Sequence, residues 1–105
     1  MDTIKLLDGR TFRVEVNWNA IMAFLESSNR DDVRALADFS ALKPSDLAPL
    51  LTAGINEGNR LDGKEERFTP DEIGALVDIT IMAEFIGIFT RQTQAKGVKK
   101  GEKKE

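Results

Sequence analysis

The side chains that could do chemistry in this chain are carboxylates, lysines and serines, because the sequence contains no histidine, no cysteine and no tyrosine. A general base, a nucleophile or a metal ligand would have to come from that short set. Two pairs of adjacent acids stand out, Asp31-Asp32 and Glu65-Glu66. Their side chains diverge, so a solvated surface explains them better, and acids at the spacing of a calcium loop are missing. We therefore predict no metal site.

The sequence supports neither a serine nucleophile nor a phosphate-binding loop. Ser27, Ser28, Ser40 and Ser45 have no histidine to activate them, and no Ser–Lys signature accompanies them. Asp62-Gly63-Lys64 lacks the spacing of a phosphate-binding loop. We predict that the chain is not an enzyme, with no catalytic residue and no cofactor.

The N-terminus reads as a β-hairpin. Residues 3–7 and 11–16 are β-prone and flank Asp8-Gly9, a strong short-range hairpin signal. Apolar and polar residues alternate along the second run, which predicts one buried face and one wet face. The predicted buried face consists of Ile4, Leu6, Phe12, Val14 and Val16.

An amphipathic helix follows, which Asn17 or Asn19 can cap. The predicted apolar stripe is Trp18, Ile21, Met22 and Leu25. Trp18 is the only tryptophan, and we expect it to pack in the core at the junction of hairpin and helix. A role in contacting a partner is the less favoured interpretation.

Two more helices are predicted before residue 58. A short one opens at Asp31-Asp32, and Asp46 caps the next, which places Pro49 in its first turn and makes Gly58 its C-terminal stop. The apolar stripe of this helix is Leu47, Leu50, Leu51, Gly54 and Ile55, and its glycine would let a neighbouring helix approach closely. Residues 58–68 are polar and long for a connection, so we expect a mobile loop that could contact a partner.

Residues 69–94 are predicted to form one long helix that the rest of the chain packs around. Thr69-Pro70-Asp71-Glu72 has the pattern of a capping box with proline at the first helical position. Across residues 79–89 the apolar side chains point in nearly every direction. Asp78 and Glu84 interrupt the run, which argues against a membrane span.

A helix that is apolar all round must be covered on more than one side. The chain's own domain could supply the cover, or another chain could supply part of it, and both interpretations stay open. If a partner contributes, the predicted contact residues are Ile79, Met82, Phe85, Ile86 and Phe89. On that hypothesis, replacing Phe85 and Phe89 by serine weakens the partner complex more than it unfolds the domain.

These elements predict a single α+β domain over residues 1–95, with an N-terminal β-hairpin followed by about four helices, the last one long and central. Residues 96–105 hold five lysines and two glutamates, and we expect this tail to be disordered. The remaining chain carries 10 basic and 16 acidic residues, a poor match for a nucleic-acid backbone. No signal sequence is visible, so we expect a cytoplasmic protein.

The order of motifs resembles a known family. The hairpin Ile4–Val14 has the form I-x-L-x-D-G-[KR]-x-[FY]-x-[LV], and the next helix carries Phe24-Leu25-Glu26. Leu47–Ile55 has the form L-x-x-L-L-x-A-G-[LI], and Phe68–Gly74 has the form [FL]-T-x-[DE]-E-[IV]-[GA]. Over roughly residues 3–95 the chain resembles the tail assembly chaperones of long-tailed phages and prophages, including the related proteins of gene transfer agents.

The resemblance implies a non-enzymatic chaperone in the cytoplasm of the host cell. Such proteins bind the long, apolar, helical tape measure protein and keep it soluble while tail tube subunits assemble. Two other interpretations stay open: a structural tail or head–tail component that forms a homo-oligomer through the hairpin edge, and a small bacterial adaptor that binds another protein.

Overall fold

The computed structural model describes residues 1–27 and 43–101, with side chains described as far as Thr93. In chain order the elements are β1 (Thr3–Lys5), β2 (Thr11–Arg13), α1 (Trp18–Ser27), α2 (Pro44–Leu61), α3 (Pro70–Gly74) and α4 (Ile79–Gly101). The predicted α+β class is confirmed: an antiparallel hairpin precedes the helices, and a long helix lies near the C-terminus. The short helix predicted at Asp31-Asp32 lies outside the described residues.

The hairpin has the predicted faces. Ile4 pairs with Phe12 in the antiparallel register, and the chain turns through Leu7, Asp8 and Gly9. Gly9 has φ +91°, and its N–H donates to the Leu6 carbonyl at 2.9 Å, as in a three-residue loop that ends in a left-handed glycine. All five residues predicted for the buried face are buried.

Helix α1 begins where predicted, but only half of its predicted apolar stripe reaches the core. Leu25 is buried and Ile21 packs against the core, whereas Trp18 and Met22 are exposed. The Asn17 side chain accepts a hydrogen bond from the N–H of Ala20 at 3.0 Å, so Asn17 is the cap. The helix packs against α2 through Ala20 and Phe24, and at 100° per residue Trp18 lies more than about 100° away from both. Trp18 is 59% exposed, so the prediction that it packs in the core is wrong.

Helix α2, rather than the last helix, is the most enclosed element, because ten of its residues are buried. It begins at Pro44, where the Asp46 carboxylate accepts from the N–H of Lys43 at 2.8 Å. Asp46 is thus at the third helical position and not the cap, since Pro44 already supplies a good first residue. Pro49 consequently lies inside the helix rather than in its first turn.

The hairpin packs closely against two glycines of α2. A Cβ on Gly58 would lie 2.3 Å from the carbonyl oxygen of Arg13, and one on Gly54 would lie 3.0 Å from a methyl of Val14. Gly54 also accepts a hydrogen bond from the N–H of Glu15 at 3.1 Å. Gly58 is therefore a close-packing position and not the predicted helix stop, and the extended chain just after β2, not a helix, approaches Gly54.

The single helix predicted over residues 69–94 is two helices. The start is confirmed, because Thr69 accepts from the N–H of Glu72 and Glu72 accepts from the N–H of Thr69. Helix α3 then ends at Gly74, and Asp78 caps a new helix by accepting from the N–H of Ile81 at 2.9 Å. The break frees the Leu76 carbonyl to accept from the N–H of Leu7 at 2.8 Å, which ties this segment to the hairpin.

Helix α4 contributes one side to the core and continues to Gly101 rather than ending at Gln94. Its buried residues are Ile81, Phe85, Ile88 and Phe89. Beyond them, the side chains of Arg91 and Gln92 bond to Asp2 at the N-terminal end of the hairpin. Residues 96–101 belong to the tail that we expected to be disordered, and their backbone is helical. Residues 102–105 lie outside the described range.

Candidate functional site

An apolar groove lies between the start of α4 and the start of α2. It has a volume of about 490 Å³. The α4 wall consists of Ile79, Met82, Ala83 and Ile86, and the α2 wall consists of Pro44, Leu47 and Ala48. Val77 and Asp78 lie at one end. The lining is almost entirely aliphatic, which suits apolar contact and not polar catalysis.

A narrower pocket of about 190 Å³ continues the groove along α4. It shares Pro44, Leu47 and Ile86 with the wider part. Phe85 and Phe89 line it, and Lys43 and Thr90 lie at its far end. The two parts form one surface, which we call the α2/α4 groove, and it extends from Asp78 to Lys43. Because Lys43 lines only the part that holds Thr90, while Ala48 lines only the part that holds Asp78, α2 and α4 run antiparallel along it.

Local chemistry at the two helix starts shapes the groove. The Asp78 cap begins α4 after α3 has ended, and Ile79, the first residue of α4, is 87% exposed. At the other wall, the bond from the N–H of Lys43 to Asp46 fixes the first turn of α2. These two capping interactions fix the residues at which the two walls of the groove begin.

The structure brings the five predicted contact residues to this groove but exposes them unequally. Ile79 and Ile86 are exposed, and Met82 is half-buried. Phe85 and Phe89 are buried, so they form the floor of the narrow pocket and belong to the core. Partner contact stays a prediction, and the exposed atoms that could serve it belong to Ile79, Met82 and Ile86.

The spacing along α4 suits a helical occupant. Ile79, Met82, Ile86 and Phe89 follow each other at three and four residues, which is the a/d spacing of a helix that packs against another helix. Sequence reasoning found this wall. It missed the opposite wall of Pro44, Leu47 and Ala48, because nothing in the local sequence shows that the start of α2 lies beside the start of α4.

The ionisable side chains gather elsewhere, at a buried carboxylate. Glu57 accepts two hydrogen bonds from Arg60, at 2.9 and 2.7 Å, and further bonds from Asn17 at 2.7 Å and Asn19 at 3.3 Å. The Arg60 bonds, followed by those from the two asparagines, lower the pKa of Glu57 to about 2 against the opposing effect of burial. The Arg60 bonds stay within α2, and the two asparagine bonds join α2 to the start of α1, so Glu57 has a structural role.

Residues 62–68 are anchored rather than free, unlike the mobile loop we expected. The Asn56 side chain exchanges two hydrogen bonds with the backbone of Phe68, at 3.0 and 2.8 Å. Arg10 lies over the rings of Phe12 and Phe68 and forms an ion pair with Glu66 at 3.0 Å. The segment 58–61, which we placed in the same loop, is helical.

Two further searches cover only the described part of the chain. Within residues 1–27 and 43–101, no three histidine, cysteine or acidic residues lie close enough together to hold a metal ion. In that same part, no helix combines the length and the hydropathy that crossing a membrane requires.

Comparisons with known proteins found no relative of this chain. No protein-family model, no curated protein and no solved structure matches the chain.

Proposed function

We propose that this chain is a non-enzymatic tail assembly chaperone of a long-tailed phage or prophage. It acts in the cytoplasm of the host cell, where it binds the apolar, helical tape measure protein and tail tube subunits during assembly. The proposal rests on the resemblance of residues 3–95 to that family and on the surface that the fold leaves exposed.

The α2/α4 groove is the observation that supports the proposal most. A chaperone for an apolar helix needs exposed apolar surface on a scaffold that remains folded without its client. Ile79 and Ile86 supply that surface, and the buried Phe85 and Phe89 beneath them anchor α4 in the core. Met82 adds an unbranched side chain that can adapt to different client side chains.

The acidic charge of the body fits the same role. Residues 1–95 carry a net charge of −6 from 10 basic and 16 acidic residues. A net charge away from zero opposes self-association of a protein that exposes apolar residues. Charged groups with displaced pKa values, such as Glu57, already form structural hydrogen bonds. Binding of another protein therefore explains the function better than catalysis does.

Co-expression with the tape measure protein of the same phage genome tests the proposal. We expect the wild-type chain to keep that protein in the soluble fraction and to co-purify with it. If the solubility of the tape measure protein does not change, the chaperone proposal fails.

A second candidate, an oligomeric tail component, has one observation in its favour. Asp2 and Leu6 hydrogen-bond to the two residues that flank β2, Val14 and Arg10, so the backbone groups of Thr3 and Lys5 point to the opposite edge of β1. Among the described residues no backbone group pairs with Thr3 or Lys5 at that edge, whereas the N–H of Leu7 beyond them donates to the Leu76 carbonyl; the unpaired part could accept a strand from another copy. A stable ring or tube in size measurements of the purified chain would favour this candidate.

A further inference from the structure

We propose that the α2/α4 groove binds one amphipathic helix of another protein, and that this helix lies parallel to α4 with its N-terminus at the Asp78 end. The inference deepens the proposed function, on which it rests, by giving the client segment a site, a conformation and a direction.

The shape of the groove specifies a helix of about three turns. Ile79 and Thr90 mark its ends on α4, and at 1.5 Å per residue they are about 16 Å apart. The a/d spacing of the α4 wall provides holes for the side chains of a packed helix. Ala48 and Ala83 both line the part of the groove at the Asp78 end, where their small side chains leave room for a large side chain of the occupant.

The groove is too small to be the interface of a stable homodimer. A helix about 10 Å wide over about 16 Å covers on the order of 160 Å², whereas a stable interface buries about 800 Å² on each partner. A second copy would also bring two bodies of net charge −6 together. The fitting occupant is one segment of a long client, which gains further contacts along its length.

The charges at the ends of the groove give the direction. Among the described lining residues, the charged side chain at the far end is the exposed Lys43, and the carboxylate of Asp78 lies at the near end. A helix carries partial positive charge at its N-terminus and partial negative charge at its C-terminus. An occupant whose N-terminus meets Asp78 and whose C-terminus meets Lys43 is therefore favoured over the reverse.

Disulfide trapping tests the direction, because the chain has no cysteine of its own. The probe is a helical peptide of about 18 residues with leucine at its a and d positions and one cysteine at either end of its central three turns. We expect the N-terminal cysteine to cross-link to the Ile79→Cys variant and the C-terminal cysteine to cross-link to Thr90→Cys, because both positions line the groove at its two ends. The opposite pairing, or equal yields in both pairings, overturns the direction.

Affinity measurements by fluorescence anisotropy test the site. Ile86→Ser should weaken binding of the same peptide at least about tenfold, because it places a hydroxyl in the apolar wall. Leu61→Ser is the matched control, since Leu61 is 42% exposed against 46% for Ile86 and lies at the other end of α2. Lys43→Glu should weaken binding about threefold, while Lys64→Glu in the anchored loop should not.

Two outcomes separate this inference from the proposed function. If the wild-type chain keeps the tape measure protein soluble and Ile86→Ser does so equally well, the chaperone function stands and the groove inference fails. If the peptide binds in the stated direction but the tape measure protein stays insoluble, the proposed function fails and the groove remains a helix-binding site. Slow maleimide labelling of Ile86→Cys in the free protein, at the rate of a core position, would show that the chain itself fills the groove and would overturn the inference.

Discussion

The Oε1 atom of Gln92 lies 2.6 Å from the backbone nitrogen of Val16 and accepts its hydrogen bond. The Nε2 atom of the same side chain donates to the Val14 carbonyl at 2.9 Å and to the Asp2 carboxylate at 3.0 Å. Strand β1 begins at Thr3, so no strand reaches these groups. The Gln92 side chain thus takes the place of a strand, because it pairs with the backbone groups of the hairpin beyond the end of β1. It also joins α4 to the hairpin.

Gln92→Glu tests this junction. The variant keeps the acceptor for Val16 but places a second oxygen against the Val14 carbonyl and the Asp2 carboxylate. We expect the free energy of unfolding at pH 7 to fall by about 1–3 kcal/mol, measured by urea denaturation. Glu84→Gln, at an exposed position of the same helix, should change it by less than about 0.5 kcal/mol. Equal stability of the two variants would show that water replaces the amide.

Gly58→Ala is expected to destabilise the fold strongly. Its Cβ would lie 2.3 Å from the Arg13 carbonyl oxygen, so β2 must move away from α2. We expect a loss of more than about 2 kcal/mol in the free energy of unfolding. Gly87→Ala is the matched control in a helix, because nothing lies within 4 Å of its Cβ, and it should stabilise by about 0.5–1 kcal/mol. Similar losses in both would contradict the close approach of β2 to Gly58.

Local signals in the sequence predicted the parts of the fold that local chemistry decides. The alternation around Asp8-Gly9 predicted the hairpin and its buried face. Asn17 and Thr69 predicted two helix starts, because a capping side chain bonds within three residues of itself. The break at residues 75–78 also had a local signal, since Gly74 followed by Asp78 can be a stop and a new cap. The continuous apolar pattern over this segment concealed it.

Choices between two equally apolar faces could not be read from the sequence. On α1, Trp18 with Met22 and Ala20 with Phe24 both have helical spacing, and packing against α2 selects the second pair. On α4, the two isoleucines at 79 and 86 are as apolar as the residues that reach the core. The α2/α4 groove depends on a contact between two distant segments, which periodicity does not encode.

Phe85→Ala and Ile86→Ala should separate the core face of α4 from its groove face. Phe85 is fully buried, so its truncation should cost about 3–5 kcal/mol in the free energy of unfolding. Ile86 is half exposed, and its truncation should cost less than about 1 kcal/mol. Chemical denaturation followed by circular dichroism measures both. If Phe85→Ala unfolds no more easily than Ile86→Ala, the phenylalanine is not part of the core.

The exposure of Trp18 is directly measurable, because it is the only tryptophan. We expect its fluorescence in the native protein to be quenched readily by iodide and to change little in wavelength on unfolding. Trp18→Ala should alter the free energy of unfolding by less than about 1 kcal/mol, since no core cavity forms. Phe24→Ala, at a buried position of the same helix, is the control and should cost about 3–5 kcal/mol. A blue-shifted native emission that iodide does not quench would place the ring in an interior.

Acid should remove the contribution of Glu57 to stability. Its pKa in the folded chain is about 2, below the ordinary value of 4.5, first because Arg60 donates to it and then because Asn17 and Asn19 donate to it. A depressed pKa means that the charged form stabilises the folded chain above about pH 4.5, and that this contribution is lost as the pH falls towards 2.

Glu57→Gln measures that contribution. At pH 7 the variant should unfold more easily by about 1–3 kcal/mol, a range that allows for solvent screening of the half-exposed Arg60. In urea denaturation at pH 3 the difference in the free energy of unfolding between the variant and the wild-type chain should fall to less than about half of its value at pH 7. The reason is that the stabilisation by the charged Glu57 carboxylate is lost as the pH approaches its pKa. Glu65→Gln, at an exposed position in the 62–68 segment, should show no gap at either pH. A gap in Glu57→Gln that is the same at pH 7 and pH 3 would mean that the hydrogen bonds, and not the charge, stabilise the junction of α1 and α2.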